Sequence, residues 1–136
     1  MHAENLISAF KSVVLTSDDP EKTAAFYRDA LGLPLEEERH RGTLRHWAGM
    51  VGGMHLAVHP REGFWLPTAP KSDATGTIVS FTVGELGPIE ARLAENRIEI
   101  VARNKIGPMS FIAVRDPDGR HVCFGTPWPQ MKRAEA

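Results

Sequence analysis

Cysteine is nearly absent: Cys123 is the only one in 136 residues. That excludes an internal disulfide framework and a Cys-rich zinc site. A reducing compartment is the simpler expectation. No apolar run approaches membrane-spanning length. Met1 to Ser8 has neither a basic start nor an apolar stretch long enough for export. The chain therefore reads as cytoplasmic, with no membrane partner. An excess of one charge sign is missing too. Sixteen basic residues against 17 acidic ones leave a formal net charge of -1. A nucleic-acid binder concentrates Lys and Arg on one face, so that partner class is not expected. The longest basic cluster, Lys132-Arg133, reads as a solubilising tail. What remains is ordinary: 42% hydrophobic and 24% charged residues describe one soluble globular domain with a real core.

What is present is a sequence written twice. Ser8 to Thr16 alternates like a strand and runs into Asp19-Pro20-Glu21, an N-cap, a first-turn proline and a first-turn acid. The helix that follows puts Thr23, Phe26, Tyr27, Ala30 and Leu31 on one face, and Gly32 stops it. Strands are predicted over Leu35–Arg39, Thr43–Met50 and Met54–His59, with Gly52-Gly53 turning the last pair. Pro60 to Ala74 is a proline-rich linker. The pattern restarts near Thr75: a strand over Gly76–Val83 and a helix opened by Gly87-Pro88 that buries Leu86, Ile89 and Leu93. Strands follow over Ile98–Arg103, Met109–Arg115 and His121–Thr126. Asp116-Pro117-Asp118-Gly119 is a tight-turn signal before the last of them. The fold class is α+β: two βαβββ units, 8–59 and 75–126, joined by 60–74 and followed by a 127–136 tail. Two such copies enclose a cleft, and function is sought there.

With Asp19-Pro20, Phe26-Tyr27, Leu31-Gly32-Leu33 and the Asp116-to-Gly119 turn at these separations, the chain resembles the vicinal oxygen chelate superfamily. That superfamily includes glyoxalase I, bleomycin-resistance proteins and extradiol dioxygenases. The resemblance runs from about Ala9 to Thr126. It implies two curled half-barrels around a pocket and, by likeness to antibiotic-binding members, a homodimer. It also implies four ligand seats on the first and last strands of each unit. Carried onto this chain, the seats are Ser12, His55, Ile78 and Cys123. Metal-dependent members place His, Gln or Glu there. A divalent metal wants about three imidazole or carboxylate ligands, and isoleucine offers none. No cofactor is expected; if a metal is bound, His55 is its first ligand.

The four seats implied by the resemblance, with the aromatic residues Trp47 and Phe111 near the cleft strands, give a ligand-binding set of Ser12, Trp47, His55, Ile78, Phe111 and Cys123, with no catalytic residue assigned. Strand alternation allows only one of His46 and Trp47 to face the cleft. Register puts Ala57 and His59 beside His55. Met109, Phe111 and Trp128 are apolar or aromatic walls if not core. Phe64 and Trp65, in the proline-rich linker, are expected to cover a pocket or an interface. Arg45 and Arg103 are candidates for an anionic ligand group. His40, His46 and His121 would serve a metal only in a shifted register. The expectation is a metal-free protein binding an apolar or aromatic small molecule in the inter-unit cleft. The alternative is a metal-dependent lyase or dioxygenase with an atypical ligand set.

Overall fold

The structure, a computed structural model, describes residues 6–39, 44–66 and 77–127. It contains two four-stranded mixed sheets, each built by one βαβββ unit. In the first, β1 (Ser12–Ser17) leads to helix α1 (Pro20–Ala25), then to β2 (Glu36–Glu38), β3 (His46–Val51) and β4 (Met54–Pro60). The second repeats the order with β5 (Ile78–Thr82), α2 (Leu86–Glu95), β6 (Ala102–Ile106), β7 (Met109–Arg115) and β8 (His121–Gly125). Strand orders are β1-β4-β3-β2 and β5-β8-β7-β6, with β1 parallel to β4 and β5 parallel to β8. The predicted duplication is therefore a topological one. Among the described residues no helix is long and apolar enough to cross a membrane.

Local chemistry explains the first helix. The Asp19 side chain accepts the Lys22 backbone N–H at 3.2 Å, and Pro20 opens the first turn. After Ala25 the backbone widens into a π-helical turn over Phe26–Ala30, where the Leu31 N–H donates to the Phe26 carbonyl at 3.0 Å. Gly32 then takes φ +78°. The expected apolar face is the buried one: Thr23, Phe26, Tyr27, Ala30 and Leu31 are all inside. At Gly49 on β3 a Cβ would sit 2.0 Å from the Pro34 carbonyl oxygen, so only glycine lets that segment lie against the strand.

One core spans both units. Leu15, Tyr27, Trp47, Leu56 and Val58 from the first join Leu93, Ile112, Val114, Val122 and Phe124 from the second. A polar clasp reinforces the seam. Asp118, in the turn before β8, accepts from Ser17 Oγ at 3.0 Å and Thr23 Oγ1 at 2.6 Å. Asp116 accepts from Tyr27 Oη at 2.7 Å, and Arg120 bridges both carboxylates and donates to the Thr16 carbonyl. All four charged or phenolic members are buried. Burial, then the Asp116 carboxylate, pushes the Tyr27 hydroxyl well above its usual pKa.

Several boundaries differ from expectation: β1 begins at Ser12 and not at Ser8, and β3 runs from His46 to Val51. The strand predicted at Ile98–Arg103 forms instead over Ala102–Ile106. Ile98 and Ile100 pack against the core from an unpaired segment, and cross-strand bonding starts where the Val101 N–H meets the Ala113 carbonyl at 2.8 Å. Alternation signals burial there, while the reach of β7 decides where pairing begins. Pro60, assigned to the linker, ends β4. Residues 67–74 of that linker, residues 75 and 76 of the second unit and the tail from 128 lie outside the described residues, as do His40 and Trp128.

Candidate functional site

Register sorts every strand side chain onto one of two faces. In the first sheet Val13, Leu15, Leu56 and Val58 point to the core. Ser12 pairs with His55, and Val14 with Ala57, on the outer face. The β3–β4 hairpin aligns Trp47 with Val58 and Met50 with His55. Trp47 is therefore a core residue, 2% exposed, on the face opposite His55. This departs from the expectation that the two line one cleft. His46 is the residue that faces outward.

In the second sheet Val79, Phe81, Val122 and Phe124 point inward, and Ile78, Ser80, His121 and Cys123 share the outer face. Cys123 pairs with Ser80 and Ala113. Phe111 lies opposite Gly125, and a Cβ at Gly125 would meet its ring at 2.7 Å. The glycine thus lets the ring lie flat across β8.

The four seats fall on outer faces, Ser12 beside His55 and Ile78 two residues from the Cys123 partner Ser80. Their chemistry does not fit a divalent metal: Ile78 has no donor atom and serine is a poor ligand. Among the described residues no three His, Cys, Asp or Glu side chains converge to hold one.

A cavity of about 560 Å³ does join the units. Val13, Met54 and Leu56 wall it from the first, and Ile78, Ser80 and Phe81 from the second. Among the described residues eleven line it and none is charged, and six consecutive ones, 77–82, follow the open edge of β5. Of the expected set only Ile78 lines it. A second depression, about 600 Å³, lies at the start of α1 and includes Trp47, Arg45, Asp18, Asp19, Glu21 and Glu62. Arg45 lies 3.6 Å from Glu21 within it, and partners from outside its lining hold Asp18 and Arg45. Arg61 donates to Asp18 at 2.5 Å, and Arg45 holds Glu37 at 2.5 Å while its guanidinium sits 4.7 Å over the Trp47 ring. Arg103 is likewise paired, 2.5 Å from Glu90 on α2. Neither candidate arginine points into the inter-unit cavity.

One arrangement was not expected. The His46 and His59 rings stack at 4.2 Å and 11°, and Phe64 meets His59 edge-on at 5.4 Å. His46 Nδ1 donates to the Leu44 carbonyl at 2.9 Å, which leaves Nε2 facing Glu38 at 3.3 Å. The signal was in the sequence: His46 lies six residues before Gly52 and His59 six after Gly53.

With the geometry in place, the profile of the Glyoxalase/Bleomycin resistance protein/Dioxygenase superfamily matches residues 9–124. The chain belongs to that superfamily. Comparison with curated protein sequences gives no match. Solved structures share the fold. TnmS3, an antibiotic binding protein from Streptomyces sp. CB03234, aligns at TM-score 0.73 and 20% identity, over 92% of this chain and all (100%) of that one. TioX from Micromonospora sp. ML1 gives 0.67 at 20% identity, over 88% and 98%. Lactoylglutathione lyase from Agrobacterium tumefaciens gives 0.66 at 20% identity, over 88% and 94%. Solved structures of this fold thus include one described as an antibiotic binding protein and one described as a lyase, so the fold does not choose a function.

Proposed function

We propose that this superfamily member is a metal-free small-molecule binding protein that holds an apolar or aromatic compound between its two units. The observation that carries the reading is the uncharged cavity of about 560 Å³, with Ile78 in its wall. Metal-dependent relatives are expected to offer a donor at that position, and isoleucine offers surface instead. Cavities of this size and lining favour ligands bound by area burial. The antibiotic-binding description of TnmS3 supports the same class.

The reading includes a cytoplasmic homodimer. Leu6, Ile7, Phe10 and Ile106 are each more than half exposed. Leu6, Ile7 and Phe10 fall within five residues of chain, and a second copy covering them would remove that apolar area from water. Cys123, half-buried and free, suits a reducing compartment.

Two measurements test the proposal. Elemental analysis of purified protein is expected to find no stoichiometric Ni, Zn, Mn or Fe; finding one overturns the metal-free assignment. Ser80→Trp, which fills the cavity from the β5 edge, is expected to weaken binding of apolar probes such as decahydro-2-naphthol at least tenfold. Unchanged affinity would place the ligand elsewhere.

A further inference from the structure

A separate cavity of about 300 Å³ lies on the first unit, away from the inter-unit one, and shares none of its lining residues. Val14 and His59 form its floor from the outer face of β1 and β4. Leu44, Phe64 and Trp65 form its sides, and Gly63 closes the corner. Gly63 takes φ +82°, and a Cβ there would come within 2.8 Å of the Leu44 side chain. Glycine is therefore what lets Leu44 close that wall.

We infer that this cavity is a binding subsite for a planar, uncharged aromatic ring. Three features select that chemistry. His59 is fixed before any ligand arrives, because His46 covers one side of its ring and Phe64 abuts it edge-on. A wall already immobilised costs no ordering on binding. Trp65 is 81% exposed although it sits at the rim, and its ring lies 6.2 Å from Phe64. An indole left in water beside two ordered rings gains area and stacking geometry when a flat ring covers it. Among the described residues none with a permanent charge lines the space, and His59 is the one titratable group beside Val14, Leu44, Pro60, Gly63, Phe64 and Trp65. A charged ligand would be desolvated there without a counter-ion.

The subsite does not depend on the proposed use of the inter-unit cavity, and one experiment tells the two apart. The full chain is titrated with 2-naphthol and with its saturated counterpart decahydro-2-naphthol by calorimetry. The same titrations are run on Trp65→Leu and Ser80→Trp, each checked by thermal melting. Trp65 is exposed, so its leucine variant keeps the fold and an apolar rim while losing the ring. The wild-type chain is expected to prefer 2-naphthol about fivefold to tenfold, the range that one aromatic pair supplies. That preference should vanish in Trp65→Leu and survive in Ser80→Trp. Equal affinity for the two probes in the wild-type chain overturns the inference. So does a preference that survives Trp65→Leu, or one that Ser80→Trp alone removes. Unaltered binding of the saturated probe in Ser80→Trp overturns the inter-unit proposal and leaves this one standing.

Discussion

Asp118 ties the seam between the two units through side-chain hydrogen bonds. It takes three donors, Ser17, Thr23 and Arg120, while 4% exposed. Asp118→Ala removes the acceptor of two hydroxyls, of which one can still donate to the other across the 3.0 Å Ser17–Thr23 contact, and leaves Arg120 with one carboxylate. Breaking a buried, hydrogen-bonded charge pair costs about 3–5 kcal/mol, and a urea melt should show a loss near the lower figure, since Asp116 stays. Tyr27 adds a pH signature. Its folded-state pKa is raised, so its contribution is whole below the ordinary tyrosine value of about 10 and declines as pH rises from there toward the folded value. Melts of wild type and Tyr27→Phe should therefore run parallel near neutrality. Above pH about 10 the wild type should fall away faster. Parallel curves throughout would show that the hydroxyl does not titrate with unfolding. Residue identity alone announced the turn that supplies Asp116 and Asp118. It did not announce their partners, since Ser17 and Thr23 lie 101 and 95 residues away and no local pattern marks so distant a bond.

Elements were legible where their ends carry chemistry. Asp19-Pro20 fixed the start of α1 and Gly52-Gly53 the centre of the β3–β4 hairpin. The hairpin centre even implied its register: counting outward equally from the two glycines pairs Met50 with His55 and Trp47 with Val58. Trp47 and His55 were thereby bound for opposite faces, and placing both in one site overlooked a count the sequence already contained. The shift of β6 was not available in this way, because Ile98 and Ile100 satisfy a strand pattern while being held by core contact alone. Helix α2 ends in a feature only the backbone reveals. Arg97 adopts φ 56° as the helix closes, with the Ile98 N–H bonded to the Leu93 carbonyl at 2.9 Å. A side chain in that left-handed region costs about 1 kcal/mol. Arg97→Gly should raise stability by about 0.5–1 kcal/mol, measured by denaturant midpoint; a lower midpoint would show that the arginine makes compensating contacts.

At the scale of the molecule, duplication provides two sheets with like register and unlike outer faces. The first bears a histidine stack and an aromatic rim. The second bears Phe111 laid over Gly125, with Ile78, Ser80 and Cys123 alongside. Architecture and superfamily were readable from spacing, because caps, turns and alternation are written locally. Which seats could meet was not, because that depends on how two sheets pack. The cavity between the units excludes Ser12, His55 and Cys123 from its lining and admits Ile78.

The clasp also sets an order of events for a chain made from its N-terminus. Ser17, Thr23 and Tyr27 leave the ribosome first, and the carboxylates they need, at 116–118, follow 89 to 101 residues later. Until then the first unit must keep three polar side chains wet on the surface that later becomes core. It cannot settle as a finished half and wait. The two copies are therefore expected to mature together, because a chain stopped before residue 116 lacks both carboxylates and the second-unit side chains that cover the first sheet's inner face.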